Sequence, residues 1–429
     1  MLALLLALQS AAAAPAPDSL PRVTLAEALR RATGLDPNYV SAVGQVDNAA
    51  WARRNAFAVF ILPSITLQAD ATHTNPPGFN FVTFTPEANA VTAQVTARYD
   101  LFTGGQKLAE LSRSGAILEG SHAAEVAQRF ATALLTEANF YDVLQGQELV
   151  RVGRERVRRA QTQFGVARAR VMSGAAVQTD SLQLLLEATR ARVVLLSQEG
   201  ALRVARLQLG RRIGADGPVD AVPLDTARMA DLPLSLADAI AQAADQGPQY
   251  RVARANERAA RAIYRGRLGD YLPHAFLTAN ALSFDNKFFP SLVDRTSLTL
   301  TVSFPLWDNG RRELALSQAR VTRDVFRAIR EDMDRAVQRD VTAAYDLYNT
   351  ARATTGLAGI GLGVASESYR VQQARYSSGA TDILDLLKAQ GDLNNAEIDL
   401  VTARYSTRLA LAGLEMILGR RLFTDKDTP

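Results

Sequence analysis

The chain is written twice, and that constrains its fold more than any other feature. Thr24-Leu25-Ala26-Glu27-Ala28-Leu29 matches Ser235-Leu236-Ala237-Asp238-Ala239-Ile240 at an offset of 211, and Pro37 and Tyr39 fall on Pro248 and Tyr250. Leu101-Phe102-Thr103-Gly104-Gly105 pairs with Leu306-Trp307-Asp308-Asn309-Gly310, and Ser173-Gly174 with Ser378-Gly379, both at 205. Leu209-Gly210-Arg211-Arg212 then matches Leu418-Gly419-Arg420-Arg421 at 209. The first drift reads as a few lost loop residues. The second is an insertion of four, about one helical turn, which leaves a buried helix face nearly unchanged. The expected division is residues 17–212 and 235–422 as the two repeats, a linker at 213–234 and a tail at 423–429.

Each half predicts the same order: a helix, a strand pair, a very long helix, a tight turn and a returning helix. The strands show period two. Ile65, Leu67, Ala69 and Ala71 alternate with Ser64, Thr66, Gln68 and Asp70, and Val91, Ala93, Val95, Ala97 and Tyr99 with Thr92, Gln94, Thr96 and Arg98. In the second half Leu298, Leu300, Val302 and Phe304 alternate with Ser297, Thr299, Thr301 and Ser303, while 275–284 alternates less cleanly. Between the strands, 72–90 with Phe79, Phe81 and Phe84, and 285–296 with Phe288 and Phe289, are expected as exposed loops. From about 105 to 172 only isolated glycines interrupt a helical pattern, a span approaching ~100 Å. Val150, Val157, Phe164 and Val171 recur every seven residues, with Gly153, Ala160, Ala167 and Gly174 three later, which is coiled-coil spacing. Leu362, Tyr369 and Tyr376 beside Ala358 and Ala365 repeat it, as do Leu386, Leu393 and Leu400 beside Ala389, Ala396 and Ala403.

Composition excludes much else. Hydrophobic residues are 48%, enough for a core, and aromatics only 7% in a chain rich in helix formers. There is no Cys, which removes disulfides, thiolate metal sites, thiol nucleophiles and an N-terminal lipid on Cys. His73, His122 and His274 have no metal or triad spacing, and no phosphate loop appears, so neither an enzyme nor a cofactor is expected. A net charge of +4 does not argue for nucleic acid. The apolar run at 2–8, followed by Ala11 to Ala14 one by one, predicts a secretory signal over 1–16, without the usual basic start. No other stretch is apolar for long enough to span a membrane as a helix, so any crossing would use strands. Strands of about ten residues with this alternation suit an outer-membrane barrel, and a half-buried soluble sheet is the competing reading. Four strands cannot close a membrane barrel, because an open edge in lipid leaves backbone groups unpaired. Two copies would supply eight strands and three would supply twelve, and spacing does not choose between them.

These residues resemble TolC-type outer-membrane efflux proteins, the outer membrane factor family, over roughly residues 20–422. The signals are the doubled layout, helices opening at Asp36-Pro37-Asn38 and Gly247-Pro248-Gln249, and Leu62-Pro63 and Leu272-Pro273 entering the strands. Pro305-Leu306-Trp307-Asp308-Asn309-Gly310 leaves the second pair, so Gly105, Pro305 and Gly310 mark strand–helix junctions. The resemblance implies a mainly α fold with a membrane β-barrel. Each chain would give four strands and long coiled-coil helices to a trimeric α/β barrel with a periplasmic tunnel. It also implies a passive export duct in the outer membrane, receiving cargo from an inner-membrane pump through a periplasmic adaptor protein and catalysing no reaction.

The same resemblance places Gly174 and Gly379 at periplasmic tip turns, assigns Asp385 to the pore constriction, matches Tyr376 to a Tyr that helps tie the closed helices together, and matches Asp180 to the acid of the neighbouring tip. Where the family pattern has an Arg two after the second Gly and an Asp nine after it, this chain has Thr381 and Lys388. Lys388 could therefore pair with Asp385 three residues earlier, and the gate is expected to close through other contacts. The plainer reading of both acids is a solvated carboxylate at a helix N-terminus. Arg151, Arg154, Arg156, Arg158, Arg159, Arg168 and Arg170 read as a solvated outer face, with contact to an acidic adaptor or the cell wall as the alternative, His73 reads as surface, and Trp307, rather than Trp51, as a membrane-interface aromatic. The alternative function is a periplasmic coiled-coil adaptor or structural envelope protein without a pore. It is disfavoured by two halves that each carry a strand pair.

Overall fold

A computed structural model of the chain describes residues 20–80, 84–224, 231–285 and 293–423. The signal segment at 1–16, Phe81, Phe288, Phe289 and positions 424–429 of the tail lie outside the described residues.

One opening helix per half was expected, and the structure has two. Helices α1 (Leu25–Leu35) and α2 (Pro37–Ile61) are separated at Asp36, and α5 (Leu236–Gln246) and α6 (Pro248–Leu268) at Gly247. A proline lacks the N–H that would continue the preceding helix but fits a first turn, so each Pro ends one helix and starts the next. The duplication extends to the caps. Thr24 Oγ1 accepts from the Glu27 amide at 3.3 Å, and Ser235 Oγ accepts from the Asp238 amide at 3.2 Å.

The sheet unit comprises described residues within Ser41–Val126 and Gln242–Gln338. Strands β2 (Ser64–Asn80), β3 (Thr85–Phe102), β5 (His274–Asp285) and β6 (Val293–Ser303) form an antiparallel sheet in the order β2-β3-β5-β6, with β2 and β6 as open edges. Register sets Leu67, Val95 and Ala281 across from one another, and likewise Ile65, Ala97, Ala279 and Leu298, giving one apolar face. The other face aligns Thr66, Thr96, Asn280 and Ser297, where Asn280 Oδ1 accepts from Thr96 Oγ1 at 2.9 Å. The expected loops are shorter than 72–90 and 285–296, because the hairpins continue past the alternating stretch. His73 pairs with Asn89 and, after a register shift, Gly78 pairs with Glu87. A hairpin's own partner strand satisfies its backbone, so the ladder outlasts the hydrophobic pattern. His73 is accordingly a strand residue, with Nδ1 2.8 Å from Asn89 Oδ1, instead of an unpartnered loop histidine.

The second unit comprises described residues within Met1–Val40, Ala127–Ala241 and Arg339–Pro429. The long helices α3 (Gln106–Met172) and α7 (Arg311–Ser377), 67 residues each, contribute to both units, and α4 (Gln178–Arg212) and α8 (Ile383–Leu418) return beside them. The expected linker at 213–234 is partly core. Strand β4 (Asp220–Ala221) pairs in parallel with β1 (Arg22–Val23), and Ile213, Val219 and Ala221 are buried with Phe140, Leu144 and Leu209. The seam residues predicted from the seven-residue repeat are buried or half-buried except Gly174, which is exposed: Ala160, Ala167 and Leu386 are fully buried, and Leu393 is nearly so. Each leucine removed from water contributes about 2 kcal/mol.

Candidate functional site

The two turns of the helical unit are built alike, as the repeat requires. Gly174 (φ +76°) and Gly379 (φ +79°) take the left-handed conformation that a side chain disfavours. The Ala175 amide donates to the Arg170 carbonyl at 2.8 Å and the Gly174 amide to Val171 at 3.1 Å. The Ala380 amide donates to Arg375 at 2.8 Å and the Gly379 amide to Tyr376 at 3.1 Å. Both are Schellman endings, which consume carbonyls that a helix end otherwise leaves unpaired.

Helices α3, α4, α7 and α8 share one apolar cluster above these turns, with Ala167, Leu184, Tyr369, Tyr376, Ile383 and Leu386 at its centre. Tyr376 is buried there, and its hydroxyl donates to Asp180 Oδ2 at 3.4 Å, so two residues 196 positions apart meet at the tip. Burial, and then the Asp180 charge, push the Tyr376 phenol above its ordinary value. Asp180 is half-buried in the first turn of α4.

Arg170 completes the contact, and sequence reasoning placed it on a solvated face. Its Nη1 donates to the Tyr376 carbonyl, its guanidinium lies 4.9 Å from the centroid of the Tyr376 ring, and its Nη2 donates to the Ala175 carbonyl at 3.4 Å. The last turn of α3 is thereby clasped to the last turn of α7. Two other members of the arginine run also point inward. Arg156 pairs with Glu187 on α4 at 2.8 Å, and Arg159 with Glu397 on α8 at 2.7 Å, all four side chains being mostly buried. Arg151, Arg154, Arg158 and Arg168 are exposed, as the solvated-face reading expected. Along the same helix run, Gln163 donates to the Tyr369 hydroxyl at 3.3 Å.

Asp385 is exposed at the third position of α8, where Asp382 caps the helix by accepting from the Leu384 and Asp385 amides at 3.0 and 3.1 Å. The expected Asp385–Lys388 pair does not form. Asp385 Oδ2 accepts from Thr381 Oγ1 at 2.6 Å, and exposed Lys388 makes no ion pair among the described residues. A hydroxyl one turn back reaches the carboxylate at less entropic cost than a long lysine chain held in place. The residue standing where the family pattern has its arginine therefore serves the acid as a neutral donor.

The strand–helix junctions belong to the sheet unit. Gly104, Gly105, Asn309 and Gly310 all have positive φ, so the aligned pairs share one turn, and Pro305 follows β6. At Gly104 the constraint is also steric, since an added Cβ would lie 2.4 Å from the Gly269 carbonyl oxygen. Leu306 and Trp307 beside this junction are 84% and 80% exposed. Among the described residues no cluster of His, Asp or Glu is arranged to hold a metal ion, and no helix is long and apolar enough to cross a membrane.

Known proteins share this fold. The chain is 24% identical over 285 residues to the outer membrane efflux protein BepC of Brucella suis biovar 1 (strain 1330), a match covering 66% of this chain and 62% of BepC. Its fold superposes on a membrane protein from Pseudomonas aeruginosa with a TM-score of 0.78 at 19% identity, covering 94% of this chain and 91% of the other. The outer membrane protein VceC of Vibrio cholerae gives 0.77 at 18% identity, covering 93% and 97%. BepC and VceC are outer-membrane proteins, and with the family match that follows they give this chain an outer-membrane location. The family model for outer membrane efflux proteins matches residues 40–215 and again 239–420, nearly the whole of both halves, and the chain belongs to that family.

Proposed function

We propose that the protein is a passive export duct: a homotrimer whose three sheets close a twelve-stranded barrel in the outer membrane and whose helices form a periplasmic tunnel. The observation that carries this reading is the unfinished sheet. Its edges β2 and β6 are open, and its apolar face leaves Ile65 and Leu67 70% and 72% exposed on one edge strand and Leu298 70% exposed on the other. Such a surface is stable only against lipid and neighbouring strands. The polar face, with Thr96 and Asn280, would then line the lumen, and Trp307 would stand at the membrane interface.

The helices are unfinished in the same way. Leu186, Val193 and, fourteen residues on, Leu207 fall on one seven-residue frame of α4, and Leu357, Val364 and Val371 keep seven-residue spacing on α7, all exposed. Two different seams on one chain suit a head-to-tail contact that closes into a ring. Residues 17–212 and 235–422 would each supply one half of the wall. Cargo would enter from an inner-membrane pump through a periplasmic adaptor that docks at the tips beside Gly174 and Gly379. The Arg170–Tyr376–Asp180 contact would hold the tips closed, and three Asp385 carboxylates at the mouth would favour cations, tempered by Lys388. No bond is made or broken; opening is the release of α7 and α8 from α3 and α4.

Because the chain lacks Cys, the seams can be tested directly. Val193→Cys combined with Val364→Cys, treated with a bismaleimide linker in membranes, should give a ladder ending at three chains, while neither single variant cross-links. Dimers from a single variant, or no ladder, would refute a ring built from these seams.

A further inference from the structure

The exposed charge of the helical unit is not evenly compensated. One groove of 500 Å³ is lined by Arg22, Arg154, Arg203 and Arg206, and it also contains Glu199 and Asp220. Arg206 pairs there with Asp220 at 3.0 Å and Arg154 with Glu199 at 3.1 Å. A second groove, of 520 Å³, lies between α1, α3 and the end of α8, and no acidic residue lines it. Its floor is Leu29, Phe130 and Ala133, and its rim carries Arg30, Arg129 and Arg420. None of these three arginines makes an ion pair among the described residues, and all are exposed.

Two buried acids beside the groove are committed to Arg421. Arg421, at the same groove, lies 2.6 Å from both Glu137 and Glu415, whose side chains are buried, and Glu415 also accepts from the Leu422 amide at 2.8 Å. The Arg129 and Arg421 guanidinium carbons stand 5.6 and 6.0 Å from the Phe130 ring centroid, so cations flank an aromatic floor. An apolar slot rimmed by three uncompensated guanidinium groups is complementary to carboxylates spaced around an apolar side chain. Its volume suits a few residues of peptide.

We propose that this groove docks a short acidic segment of a partner protein, in which carboxylates flank an apolar side chain. Arg129 is roughly 65 Å along α3 from the tip turn, so this surface is separate from the gate and does not depend on the export reading.

The test uses the full-length protein in detergent and a labelled, capped hexapeptide of alternating Glu and Leu, with a Gln-Leu peptide as control. The Glu peptide should bind and the Gln peptide should not. Arg30→Gln and Arg420→Gln, both at exposed positions, should each weaken binding about threefold at low salt and combine to about tenfold, with oligomer mass and melting unchanged. Equal binding of both peptides, or full binding by the double variant, would overturn the proposal. Retention on isolated cell-wall sacculi that the arginine substitutions abolish and the peptide cannot compete would also overturn it, in favour of a wall polymer. None of these outcomes bears on conductance, so failure here leaves the duct reading standing.

Discussion

Replacing Arg170 by Gln should loosen the tip. The substitution removes the charged donor to the Tyr376 carbonyl and the stacking on its ring at 4.9 Å. A charged hydrogen bond is worth about 1.5–3 kcal/mol, and partial solvent access reduces this to about 1. The cation–π contact adds about 0.5–1 kcal/mol. A loss of about 2 kcal/mol shifts each protomer's closed-to-open equilibrium about 30-fold toward open. Open probability in planar bilayers reads this directly. Arg168→Gln is the matched control, since Arg168 is exposed two residues earlier. Equal open probability for the two variants would refute the clasp, whereas a collapse in trimer yield for Arg170→Gln would place the residue in assembly instead.

Three further outcomes follow from the same geometry. The Tyr376 phenol is raised by burial and then by Asp180, so closed-state stability is intact below its ordinary value of about 10 and falls as pH rises through the folded value. Open probability should therefore climb at alkaline pH in the wild type and lose that component in Tyr376→Phe, and identical pH profiles would exclude the phenol. Asp385→Asn should reduce cation preference while leaving trimer yield unchanged; unaltered selectivity would remove Asp385 from the pore. Gly104→Ala, whose Cβ would meet a carbonyl oxygen at 2.4 Å, should destabilise by several kcal/mol in thermal melts. Gly105→Ala, with open space around it, should cost only about 1 kcal/mol, and equal losses would refute the close-approach argument.

Much of the architecture was legible because it is periodic. Alternation predicted the strand faces, and the seven-residue repeat predicted Ala160, Ala167, Leu386 and Leu393 as seam residues. Features that depend on distant partners were harder. Strands β1 and β4 are two residues each and pair across almost 200 positions, with no pattern long enough to register. Arg170 reaches a carbonyl 206 residues away, and nothing in its local spacing separates it from the six other arginines of the run. The repeat did hold one clue: Arg170 stands four before Gly174, as Arg375 stands four before Gly379. The Asp385–Lys388 expectation failed because helical spacing permits a pair without excluding a nearer donor, which Thr381 supplied.

The central claim is that three chains complete what one leaves open. Its most direct test is the mass of the detergent-purified protein, with single-channel conductance recorded from the same sample. The account predicts a trimer with small, cation-selective openings, and a monomer or dimer that conducts nothing would contradict it.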